Sequence, residues 1–199
     1  MIGKHLKILA TVLIFCSSAY IPTATAKTAV DQISGLRAAA NEMVKWFDEL
    51  LVSFDEVGQS AERGYLVDSL ADLNSHLFKV EQEKRLLLYE LRKTPISRPI
   101  LLRKVNSLNK QIIDLRKSLE ELGPKLRVAD RTHSDEVISL LSSALLDRKF
   151  FLQDLLTARD EDIPEFYSEA QSAIDALDLA QAKLADVISA MRNANPKTP

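Results

Sequence analysis

The sequence predicts an all-α protein: an elongated up-and-down antiparallel bundle of about five long helices, with a four-helix core plus one packed-on helix as the close variant. Three observations predict it. Apolar residues recur at alternating spacings of 3 and 4 in five separate stretches, which places each set along one helical stripe. Turn residues fall between the stretches, at Gly58, Thr94-Pro95 and Gly123-Pro124. No stretch alternates with the period of two that a half-buried strand shows.

The first ladder is Ile33, Leu36, Ala40, Met43, Phe47, Leu50, Phe54 and Val57, closed by Gly58. The second runs Leu66, Leu70, Leu73, Leu77, Val80, Lys84, Leu87 and Leu91, and stops before Thr94-Pro95. The third is Leu101, Val105, Leu108, Ile112, Leu115, Leu119 and Leu122, opened by Ser97 and Pro99 and closed by Gly123-Pro124. The fourth is broader, Ile138, Leu141, Leu145, Arg148, Leu152 and Leu155, with Thr132 or Ser134 as its cap. The fifth opens at Asp162-Ile163-Pro164-Glu165, and its ladder is Phe166, Ala170, Ala173, Leu177, Ala180, Leu184, Val187 and Met191. Helices of about 25–33 residues are roughly 38–50 Å long at 1.5 Å per residue. Their short connections force antiparallel neighbours, and only residues 123–131 leave room to reposition the chain.

Ahead of the ladders, residues 1–26 read as a signal peptide. Lys4, His5 and Lys7 form a basic start, Ile8 to Phe15 is almost wholly apolar, and Ala24-Thr25-Ala26 offers the small residues of a cleavage site after Ala26. Phe15 before Cys16 does not fit a lipobox. Beyond the leader there is no cysteine, and no asparagine starts a glycosylation sequon. Export without either feature points to a bacterial envelope, so the expected location is periplasmic or secreted. The expected organisation is one bundle domain over 27–192 and a loose tail over 193–199.

Composition narrows the function. The 199 residues are 46% apolar and 27% charged, as in an ordinary folded domain. Only 5 glycines occur, and none of them makes a GxGxxG or Walker loop. Export leaves His76 and His133 as the only histidines, with no Cys and no GxSxG, so no nucleophile stands beside a base. Glu-x-x-His pairs and CxxCH are absent, which argues against a di-iron bundle and covalent haem. Met43 and Met191 fit their ladders as core residues rather than haem ligands. Asp72 and His76 are spaced i, i+4, a single pair that falls short of a metal site. Asp160-Glu161-Asp162 with Glu165 reads as helix capping rather than a calcium loop. Asp and Glu side chains stand off the ladders, as solvated or helix-end charges. No catalytic residue, cofactor or metal is expected. Lys84 and Arg148 interrupt their ladders. Snorkelling to water is the plainer account, and a partly buried polar contact fixing register the sharper one.

Charge is the most informative feature. Residues 27–83 carry 5 basic and 11 acidic side chains, 84–131 carry 13 and 5, and 132–199 carry 6 and 12. Between Glu90 and Asp114 lie Arg92, Lys93, Arg98, Arg103, Lys104 and Lys110 without an acid. Internal complementarity between a basic hairpin and acidic arms is the plainer reading. It accounts poorly for Arg98, Arg103 and Lys104, which oppose the dipole at a helix start, and these six cations are a candidate binding tip for an anionic lipid or an acidic protein. The second helix also has another apolar side, with Val67, Ala71, Phe78, Leu86 and Tyr89. It is either enclosed, as the inner helix of five, or a partner face.

The expected function is therefore that of an exported, non-enzymatic bundle acting by protein–protein contact in the envelope, of inhibitor, immunity, chaperone or adaptor type. The alternatives are a membrane-active helical protein that binds anionic lipid and a cofactor-binding bundle. No nucleic-acid partner is expected of an exported chain that is acidic overall.

Overall fold

The computed structural model describes residues 29–52, 61–157 and 163–193. Residues 1–26, expected to be a leader, Phe54 to Gly58, Asp160 to Asp162 and the residues beyond Asn193 lie outside them. Of the described residues 92% are helical and none is in a strand. The helices are α1 (Ala29–Val52), α2 (Ala61–Leu91), α3 (Arg98–Leu122), α4 (Val128–Ser143), α5 (Arg148–Thr157) and α6 (Ile163–Asn193). The first, second, third and fifth ladders become α1, α2, α3 and α6. Their described apolar positions are buried, apart from half-buried Phe166.

Five of the helices close a ring. α1 packs on α6 and α4, α2 on α6 and α3, and α3 on α4. Going round an odd ring, directions cannot alternate throughout, so at least one neighbouring pair must run parallel. That pair is α1 and α6: Ser34 meets Glu169 near the start of both helices, and Asp48 meets Lys183 further along both. Both helices bury alanines, among them Ala39, Ala40, Ala170, Ala173 and Ala180, each 0% exposed. Small side chains let two backbones come close, and Arg37–Glu169 at 3.0 Å and Lys183–Asp48 at 2.7 Å tie the pair together. The expectation that short connections set every neighbour is corrected here, since the main neighbours of α1 are α6 and α4 rather than α2.

The fourth ladder is corrected as well. α4 ends at Ser143 and a separate α5 begins at Arg148. Neighbouring side chains hold the break open. Asn109 of α3 donates to the Leu146 carbonyl at 2.7 Å and accepts from the Leu146 N–H at 2.8 Å. Gln32 of α1 accepts from the Asp147 N–H at 3.2 Å, and Asp147 caps α5 by accepting from Lys149 N–H and Phe150 N–H at 2.8 and 3.1 Å. Every polar backbone group so served has less need of a continuous helix. Thr132 and Ser134 lie inside α4, whose N-cap is Arg127, so neither caps it. The chain from 123 to 131 is no long connector: Gly123–Lys125 forms one 3-10 turn and α4 starts at Val128.

Three carboxylates expected at the surface are buried, Glu42, Glu81 and Asp130, at 8%, 2% and 4% exposure. Each has a described partner: Glu42 meets Lys45 and His133, Glu81 meets Arg85 and Gln82, and Asp130 meets Arg127. Lys84 is 1% exposed, so it does not snorkel. Among the described residues no hydrogen bond or ion pair reaches its ammonium. The acid that attracts it, Glu169, already accepts from Ser34 and pairs with Arg37. Burial pushes Lys84 down to about 7.

Candidate functional site

The basic residues are placed by the α2–α3 hairpin, whose turn, residues 92–97, is exposed throughout. α3 starts after Ser97, whose carbonyl accepts from the N–H groups of Ile100 and Leu101, and Pro99 sits in its first turn. No acid stands in that first turn. The core stripe of α3 from Leu101 to Leu122 turns Arg103 and Lys110 outward, because both lie on the opposite side of the helical wheel.

The six tip cations divide in two. Arg92 lies 5.7 Å over the Tyr167 ring, and Lys93 pairs with Glu90 at 2.8 Å and stands 4.5 Å over Tyr89. The Glu90 carboxylate holds the Lys93 ammonium above its usual range. Arg98, Arg103, Lys104 and Lys110 have no hydrogen bond or ion pair among the described residues. Internal complementarity is built from other cations, Arg37, Arg85 and Lys183, which join α1 and α2 to α6. Arg85 carries that pairing into the hairpin itself, where it meets Asp178 of α6, while Arg98, Arg103, Lys104 and Lys110 stay outside it.

The structure adds two cations that the sequence reading did not place at this end. Arg148 and Lys149 are exposed at the start of α5, and the adjoining Leu146 is bonded to Asn109 of α3. The fourth ladder places Arg148 on its apolar stripe and gives Lys149 no role. The signal that would have found them was Asp147, an N-cap residue directly ahead of them.

The apolar face of α2 is only partly as expected. Val67 is corrected: it is 7% exposed and belongs to the core, and Ala71 is half-buried against it. Phe78, Leu86 and Tyr89 do face outward, at 47%, 42% and 61% exposure. α2 is thus not enclosed by its neighbours along this stripe. Ile96 in the turn and Ile113 on α3 are also exposed, so the same hairpin carries both the free cations and the larger share of the outward apolar side chains.

Elsewhere, Asp72 and His76 line an open cleft of about 340 Å³ between α2 and α3 with Asp114, Lys117, Ser118 and Glu121. Among the described residues no three His, Cys, Asp or Glu side chains come together to hold a metal. A second polar cluster joins α4 to α1. His133 lies between Glu42 and Glu49, and Lys45 donates to Glu42 at 3.0 Å. The hydrogen bond to Glu42 raises His133 above its usual value, while those from His133 and Lys45 lower Glu42. No described helix is long and apolar enough to cross a membrane. In comparisons with known proteins, the chain matches no family model, no curated protein and no solved structure.

Proposed function

We propose that this chain is an exported, non-enzymatic helical bundle that works by contact in a bacterial envelope, as an inhibitor, immunity-type protein, chaperone or adaptor, with the outer face of the α2–α3 hairpin as its contact surface. The observation that carries the reading is the four cations, Arg98, Arg103, Lys104 and Lys110, left without partners on a hairpin that also exposes Phe78, Leu86 and Tyr89. A folded chain gains nothing internally from such a surface, since unpaired cations repel one another and large exposed apolar groups favour association.

The test is photo-crosslinking in the cell that makes the protein. Probes at Leu86 and Lys110 should give discrete adducts, while probes at Ser139 on α4 and Asp186 on α6, both exposed, should not. Adducts to protein or lipid at none of the four sites, or equally at all of them, overturn the contact surface. The same preparation tests export, because terminal sequencing should begin at Lys27. A chain that still begins at Met1 removes the envelope from the proposal.

A further inference from the structure

We infer that the outer face of the α2–α3 hairpin is built to lie on an anionic lipid bilayer. This rests on the contact surface proposed above and names its ligand.

The structure puts two sequence features that look separate, a basic tip and an apolar helix side, on one hairpin. Phe78, Leu86, Tyr89, Ile96 and Ile113 are each at least 41% exposed and all belong to one hairpin. On the same hairpin Arg103 and Lys110 face outward from α3, Arg98 is exposed at its start and Lys104 is half-buried, and no described acid pairs with any of the four. The surface is long rather than concentrated: Arg98 to Ile113 rises about 22 Å along α3. Protein-binding hot spots gather in well-packed pockets. A dispersed set of apolar side chains among cations instead matches an amphipathic surface resting in the headgroup region. There apolar groups enter the acyl boundary while Lys and Arg stems reach up to phosphates. Tyr89, with Lys93 stacked on it at 4.5 Å, has the aromatic body and polar rim that settle at that depth. With no described helix able to cross a membrane, a surface-lying mode fits the chain.

The experiment is flotation of the processed, exported chain with vesicles of phosphatidylcholine alone or with phosphatidylglycerol, at low and high salt. The chain should float with the phosphatidylglycerol vesicles only, and salt should weaken the association. R103Q/K110Q should lower partitioning about 30-fold, from two cations near an anionic surface. L86S/Y89S should lower it at least about tenfold, from lost apolar burial. Both variants alter exposed side chains, and an unchanged melting temperature verifies their fold. A chain that stays off the anionic vesicles at low salt, or floats equally in both double variants, overturns the inference. If flotation fails while crosslinks from Leu86 and Lys110 persist, the ligand is a protein and the contact surface stands. If both fail, the contact surface falls too.

Discussion

Nδ1 of His133 on α4 stands 2.9 Å from Oε1 of Glu42 on α1, and its Nε2 stands 2.9 Å from Oε2 of Glu49, one side chain bridging two turns of the neighbouring helix. Ionised carboxylates only accept hydrogen bonds, so both contacts are satisfied together by the imidazolium, which donates from both nitrogens.

That clasp gives a pH dependence of definite sign. The folded pKa of His133 is raised above 6.5, so its contribution is complete below 6.5 and is lost as pH rises through the folded value. Glu42 is lowered from 4.5, so its share is complete above 4.5 and is lost as pH falls through its folded value. His133→Gln should cost about 1 kcal/mol near pH 5.5 and less near pH 8.5. Melting temperatures of parent and variant at both pH values measure this, and an equal cost at both would show that the fold does not shift the histidine's pKa.

Lys84 works in the opposite direction. Its folded pKa of about 7 lies below the usual 10.5, so between those values the unfolded chain holds more protons and stability rises with pH. Lys84→Met removes an unpartnered ammonium from the ring while keeping much of its volume. It should stabilise the protein by about 1–4 kcal/mol at neutral pH and flatten the rise above it. Urea unfolding across that range checks both effects.

Gly35 sits where α1 and the end of α4 come closest: a Cβ there would stand 3.1 Å from Ser143 Oγ and 3.4 Å from Ala144 Cα. Gly35→Val forces branched bulk against that backbone and should cost about 1–3 kcal/mol. The loss should appear as a lower denaturation midpoint with an unchanged slope.

Reversing Arg98, Arg103 and Lys104 to Glu should leave the melting temperature nearly unchanged, within about 0.5 kcal/mol, because none of the three has a partner to lose. A clear drop in thermal melts would mean that these cations are matched inside the molecule after all.

The long helices were legible in the sequence because a stripe such as Leu101 to Leu122 is written by local spacing alone, and burial follows it residue for residue. The break before Arg148 was not, because Asn109 and Gln32, distant in sequence, supply the hydrogen bonds that sustain it. Ring order was hidden for the same reason: connection length limits which helices can be neighbours, but contacts between distant residues, such as Arg37–Glu169 and Asp48–Lys183 across α1 and α6, mark which are. At the surface, the spacing marked Phe78, Leu86 and Tyr89 but also Val67. Whether the edge of a wide stripe is covered depends on where the next helix lies. That the cations of α3 lack partners was likewise unreadable, since pairing is set by side chains brought together from separate helices.

The parallel pairing of α1 with α6 gives the molecule two unlike ends. Ala29, where α1 begins, lies on the side of the α2–α3 turn: Glu169 of α6 meets Ser34, and Tyr167, two residues before it, meets Arg92. Asn193 closes α6 at the opposite end, about 45 Å away along 31 helical residues. A reporter fused after α6 therefore leaves the hairpin turn open, whereas one fused ahead of α1 crowds it.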